Sequence, residues 1–184
     1  MRPSARHSTA GFTLIGLIVS IAIAAILAML VVTSIGTAAA KVNANVASAR
    51  LVSTLERARE LAITGDADIV LCPSNNGTTC NDSDHWEHGW IGFADRHENG
   101  ELSGGERVLL NEAALGNRVH LVSTQGRTRL RFQAVFGGNG GSNVTFTLCD
   151  ARGARAATSW VLANNGRLHT AATKPANVAA ACEN

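Results

Sequence analysis

Residues 12–32 read FTLIGLIVSIAIAAILAMLVV, 21 uncharged and mostly apolar positions in a row. Eleven residues carrying Arg2 and Arg6 precede them. As a helix the run is about 31 Å long, the thickness of a bilayer's hydrocarbon core. Arginines ahead of it stay on the cytoplasmic side, which sends the remainder of the chain across the membrane. Between Lys41 and Thr64 there is neither proline nor glycine, and Leu51, Leu55, Ala58 and Ala62 recur at helical spacing. They form one apolar stripe, bordered by Arg50, Glu56, Arg57, Arg59 and Glu60. Gly65 is a natural stop. The pattern predicts one helix over 12–64, its first half (12–32) transmembrane and its second half packed on a soluble domain.

After Ala67 the period changes. Short β-type runs (Ile69–Cys72, Gly89–Phe93, Val108–Leu110, Arg118–Ser123, Thr128–Phe136, Asn143–Cys149 and Ser159–Ala163) alternate with Asn/Gly-rich turns. This order predicts an α+β protein in which an antiparallel β-sheet domain over 65–184 buries the helix's stripe on one face. Some 120 residues beyond Thr64 suffice for one modest core.

Four cysteines in an exported segment favour two disulfides. Of three pairings, Cys72–Cys80 would staple the Asn/Gly/Thr-rich loop between them, leaving Cys149–Cys182 to tie back the C-terminal tail. Cys72, Cys80, His85 and His88 offer zinc as the alternative, although their spacing matches no standard finger. The loop Asp95–Glu106 places Asp95, Asn99, Gly100 and Glu106 at positions 1, 5, 6 and 12 of a calcium loop, with Glu101 beside them. His97 departs from that register, and a polar hairpin loop closed by Asn99-Gly100 is the competing reading. The expectation is no cofactor, with calcium at this loop as the alternative reading. A nucleophile elbow, an HExxH helix and a phosphate-cradling glycine loop are all missing from the sequence. The reading is a binding or structural protein, not an enzyme.

Net charge is +2, but its distribution is uneven. Residues 65–112 hold ten acids against two arginines, and 113–184 hold seven arginines and one lysine against two acids. Within the basic part Arg127, Arg129 and Arg131 alternate with Thr128, Leu130 and Phe132. On a strand this sets three guanidinium groups on one face about 6.6 Å apart, a spacing suited to phosphates. Arg152, Arg155 and Arg167 could extend the patch. Nucleic acid, an acidic neighbouring subunit, or plain solvation each fits such a stripe.

The junction Gly11-Phe12-Thr13-Leu14-Ile15 after a short basic leader resembles that of type IV pilins and pseudopilins. Downstream, Ala58–Ile63, Leu71-Cys72-Pro73-Ser74, Gly89-Trp90, Asn99-Gly100, Phe136-Gly137, Thr147–Asp150 and Gly166-Arg167 together resemble the GspH/FimT family. That family comprises minor pilins of the FimT/FimU kind and the H pseudopilin of type II secretion. The resemblance implies a type IV pilin-like fold and a leader over residues 1–11. A prepilin peptidase would cut it between Gly11 and Phe12, and Phe12 would be N-methylated. It further implies a single-pass inner-membrane anchor, a periplasmic head, and other pilins or pseudopilins as partners through the N-terminal helix. The role implied is a structural subunit acting in pilus biogenesis or protein secretion. Ordinary signal cleavage after Ala38-Ala39-Ala40 and an uncleaved anchor are the competing readings of the N-terminus.

At the fifth mature position the family usually carries glutamate; here it is Gly16. Some FimT-type pilins bind DNA during transformation through a Gly-Arg-x-Arg motif near the C-terminus. The corresponding place here reads Gly166-Arg167-Leu168-His169, while a literal match stands at Gly126–Arg129. DNA uptake is therefore the alternative function.

Overall fold

The computed structural model describes residues 13–116 and 118–183; within them, the side chains of 28–34 are not described. The leader, Gly11 and Phe12 lie outside the described residues. Helix α1 spans Leu14–Thr64. The chain divides into two units at Ala38/Ala39, both of which contain part of α1.

In the first unit the described side chains of α1 from Leu14 to Leu27 are mostly apolar and exposed. Leu14, Ile15, Leu17, Ile18, Ile21 and Ile26 are between 52 and 75% exposed. Gly16 donates its N–H to Thr13 Oγ1 at 3.3 Å and accepts the Ser20 hydroxyl at 2.7 Å. Among the described residues, no helix is long and apolar enough to cross a membrane. Part of the span expected over 12–32 lies outside those residues.

Among the described residues of the second unit, eight strands form two antiparallel sheets, where the sequence pattern suggested one. The strands are β1 (Asp68–Pro73), β2 (Gly89–Asp95), β3 (Val108–Ala113), β4 (Val119–Ser123), β5 (Leu130–Phe132), β6 (Val144–Asp150), β7 (Thr158–Leu162) and β8 (Leu168–Ala171). The first sheet has the order β3-β2-β1-β5 and the second β4-β6-β7-β8. A short helix α2 (Pro175–Cys182) follows.

Both sheets place apolar residues on the second half of α1. The helix contributes Ala44, Ala47, Leu51, Leu55, Ala58 and Ala62, all buried. These positions extend the stripe read from the sequence by two turns toward the N-terminus. Against them pack Ile69 and Leu71 of β1, Leu130 and Phe132 of β5, Leu121 of β4 and Phe146 and Leu148 of β6. The alternation of β1 follows: Ile69 and Leu71 face the helix, while Val70 and Cys72 join a separate cluster with Ile91 and Phe93. Small residues on α1 let large ones from the sheets approach closely, and each buried Leu or Phe contributes about 1.5–3 kcal/mol. Arg50 ties the helix to β3, donating from Nε to Glu112 Oε2 at 2.8 Å and stacking 5.6 Å from the Trp90 ring centroid.

Both disulfides form with the pairing expected, Cys72–Cys80 and Cys149–Cys182. The zinc alternative built on Cys72 and Cys80 is thereby overturned, because the two thiols that would bind metal are joined to each other. The second bond docks α2 on the second sheet, where Ala181 packs with Val122 and Cys149.

Candidate functional site

The arginine stripe does not form as a row of free cations. Strand β5 covers only residues 130–132, shorter than the run 128–136, so Arg127 lies in the turn after β4 and Arg129 just ahead of β5. The alternation survives locally: Leu130 and Phe132 are buried and Arg131 faces the other side. Each guanidinium already has a partner. Arg127 donates to the Ser142 hydroxyl at 2.8 Å and to its carbonyl. Arg129 lies 2.7 Å from Asp82 and 3.7 Å from Glu101. Arg131 reaches across β1 to the buried Asp95 at the end of β2, and lies 3.5 Å from Asp68. The bond to Asp95 raises the guanidinium's pKa against the opposing effect of its own burial.

These pairs bear on the charge asymmetry. Asp82 and Glu101 pair with Arg129, and Asp68 and Asp95 with Arg131, so part of the opposite charge of the two stretches is neutralised within the head. Arg152 is held by Asp150, with Nε 2.9 Å from Oδ1 and Nη2 2.6 Å from Oδ2. This bond, opposed by burial, keeps the Asp150 carboxyl below the usual carboxylate range. Arg155, on a 3-10 turn over Ala154–Ala156, and Arg167, after the β7–β8 turn, make no ion pair among the described residues. Both are exposed and stay available to an anion.

The Asp95–Glu106 loop folds on its own backbone. Asp95 accepts the amides of Asn99 at 3.1 Å and Gly100 at 2.9 Å. Glu106 accepts those of Arg96 at 2.8 Å, His97 at 3.3 Å and Ser103 at 2.9 Å. Burial pushes the Glu106 pKa up, but these amides outweigh it and hold the carboxyl below its ordinary value. Asn99 turns its side-chain oxygen to the amide of Glu101 at 2.9 Å. The carboxylates proposed as calcium ligands are thus the atoms that close the loop.

Of a second cluster the sequence marked only His85 and His88. His85, His88 and His120 surround Glu87, whose side chain is 9% exposed. Three short backbone bonds fix the segment 84–88 on its neighbours: Trp86 N–H to Leu121 O at 2.7 Å, Ser123 N–H to Asp84 O at 2.9 Å and Leu115 N–H to Glu87 O at 2.8 Å. His120 stands 32 positions beyond His88, so only the fold brings them together.

A third feature is a cavity of about 410 Å³ between the end of α1 and the β7–β8 turn, lined by Leu55, Arg59, Ile63, Leu162 and Arg167 among others. Arg59 donates to Gly137 O at 3.3 Å at its edge. Val135 and Phe136 stand beside that contact, 70 and 78% exposed.

A helix whose second half supplies one buried face to an antiparallel β head defines the pilin-like class of α+β fold. Residues 47–166 match the family described as type II transport protein GspH, and the chain belongs to that family. The type IV minor pilin FimU of Pseudomonas aeruginosa superposes with a TM-score of 0.55 at 14% identity, over 72% of this chain and 88% of that one. A second crystal form of FimU gives 0.51 at 13%, over 70% and 92%. The minor pseudopilin EpsH of the Vibrio cholerae type 2 secretion system gives 0.45 at 14%, over 72% and 96%. No curated protein matches by sequence.

Proposed function

We propose that this protein is a minor pilin or pseudopilin, a structural subunit of a type IV pilus or a type II secretion pseudopilus. It is made with a leader that a prepilin peptidase removes between Gly11 and Phe12. The N-terminal helix then anchors it in the inner membrane, with the head in the periplasm, until it joins the fibre beside other pilin-like subunits. One observation carries this reading: the described side chains at the start of α1 are mostly apolar and exposed, Leu14 and Ile15 by about three-quarters. A helix of that kind is stable only inside lipid or among other apolar helices. Membership of the GspH family and the likeness of fold to FimU support it.

Gly16 refines the proposal. A carboxylate at membrane depth costs about 2.5–3.5 kcal/mol on insertion scales and persists where it pairs with a cation. In the family that cation is thought to be the N-terminal amine of the adjoining subunit. Gly16 offers no such group, which suits a subunit that is scarce or sits at the fibre tip, where one neighbour is absent. The test is to shear surface fibres, or overproduced pseudopili, from cells and probe them for this chain. The proposal expects it in the fibre fraction at a small ratio to the major subunit. Its complete absence there, with abundant protein in the membrane, would count against a fibre role.

DNA uptake draws little support from Arg127, Arg129 and Arg131, all of which are engaged within the head. That alternative would rest on Arg155 and Arg167.

A further inference from the structure

Strand β8 leaves one side of its backbone open. It ends the second sheet, where it pairs with β7 alone. Ala163 donates its N–H to Arg167 O at 2.9 Å, and the register sets Val161 against His169 and Ser159 against Ala171. Alternate residues of an antiparallel ladder bond to the same neighbour. His169 and Ala171 therefore point to β7, while the N–H and C=O of Leu168 and Thr170 point outward. Among the described residues no strand lies on that side. The outer edges of β4 and β5 are covered instead: Trp86 and Asp84 bond along β4, and Gly140 bonds to Arg131 of β5. Beside β8 lies the cavity of about 410 Å³, with Leu55 and Ile63 of α1 and Leu162 and Leu168 of the hairpin in its lining. Leu162 and Leu168 stand opposite each other and pack against the main core. Directly opposed residues of neighbouring strands share a face, so a residue set against Leu168 from outside would turn its side chain toward that cavity.

We propose that β8 accepts an extended acidic segment of a partner protein as a fifth strand of the second sheet, with one apolar side chain of that segment seated in the cavity. The outward backbone groups of Leu168 and Thr170 supply affinity whatever the side chains, and the cavity supplies selection, as in other cases of strand addition. Charge supplies the rest. From Ala151 to Cys182 the chain has no acid. Arg155, Arg167 and Lys174 are exposed there and make no ion pair among the described residues. Acidic residues flanking the apolar one would meet this cationic hairpin. Inside the cavity the signs cancel: Glu56 and Glu60 line it together with Arg59 and Arg167. That lining suits an uncharged side chain and disfavours a phosphate, which the two carboxylates repel. Nothing in this site depends on the fibre role, so the two stand or fall separately.

The test uses the full chain in detergent micelles and short fluorescein-labelled peptides in which Asp alternates with Val around a central Phe. Fluorescence anisotropy should show one peptide bound per chain. A version with Lys for Asp should bind about 10-fold more weakly, as should one of scrambled order. On binding, amide exchange read by NMR should slow at Leu168 and Thr170 and change little at His169 and Ala171, which already bond to β7. Thr170→Pro removes one outward N–H at a sheet edge, where proline is tolerated, and should weaken binding about 10-fold. Arg167→Glu should weaken the Asp peptide and strengthen the Lys version. His97→Ala should leave both unchanged. Methylating the peptide's own backbone nitrogens at alternate residues keeps the test decisive if Thr170→Pro does not fold: one set should abolish binding and the other spare it. Absence of peptide binding, binding indifferent to Thr170→Pro and to both methylated sets, or exchange that slows elsewhere but not at Leu168 and Thr170 would overturn the site. So would a dimer of the chain that Thr170→Pro dissociates, which would give the edge to a second copy. Displacement of the peptide by duplex DNA would give it to nucleic acid and overturn the proposal as well.

Discussion

Gly166 comes so close to Gly137 that a Cβ built on it would lie 2.1 Å from the Gly137 carbonyl oxygen. Gly166 has φ +75 and Gly137 φ +61, and Arg59 of α1 bonds to that same carbonyl. The β7–β8 turn, the loop after β5 and the last turns of α1 therefore meet at a point with no room for a side chain. Gly166→Ala should cost at least about 2 kcal/mol, the sum of a left-handed backbone and a forced displacement. Gly100, also left-handed (φ +72) but facing open space, is the control: Gly100→Ala should cost only about 1 kcal/mol. Urea midpoints of the two variants check the difference.

The disulfides should contribute unequally. Cys149–Cys182 spans 33 residues and Cys72–Cys80 spans 8. On the loop-entropy model these constrain the unfolded chain by about 3.7 and about 2.5 kcal/mol. A double Cys→Ala replacement at 149 and 182 should therefore lower stability more, and should also release α2. Denaturant unfolding of the two double variants gives the order.

Asp150 makes the head acid-sensitive. Its folded pKa is depressed, chiefly by the Arg152 bond. Its contribution is then present above the unfolded carboxylate's value of about 3.9 and is lost as pH falls through the lower folded value. Glu106 acts in the same direction through its three amides. Stability should be level near neutrality and fall below about pH 4. Asp150→Asn should flatten that fall while lowering stability at pH 7. Thermal melts from pH 7 to pH 2.5 read both effects.

Arg131→Ala should leave Asp95 buried with two backbone amides and no cation. A loss of about 1–3 kcal/mol follows, discounted because Arg131 is one-third exposed. Arg155→Ala, with no ion pair to break, should stay within about 0.5 kcal/mol. Duplex DNA binding, if any, should respond to Arg155→Ala and Arg167→Ala and fall steeply with salt.

The α+β class and the helical stripe were legible because a buried helix face repeats at 3.6 residues whatever packs against it. The pairing of the cysteines was legible because the short Cys72–Cys80 interval left one partner each for Cys149 and Cys182. Other features were not. Strand β8, LHTA, is half exposed at a sheet edge and carries no strong alternation. Helix α2 has eight residues, mostly alanine, too few to show a period. The arginines were visible as a spacing, but their partners Asp82 and Asp95 lie 47 and 36 positions away. A pattern within one strand cannot reveal acids delivered by another. His120 joined its cluster for the same reason.

The retained helix is the premise on which the assembly reading stands, and N-terminal sequencing of the protein recovered from its native host examines it most directly. A mature chain beginning at Phe12, in the membrane or fibre fraction, is the predicted result. A chain beginning at Lys41 and free in the periplasm would contradict it.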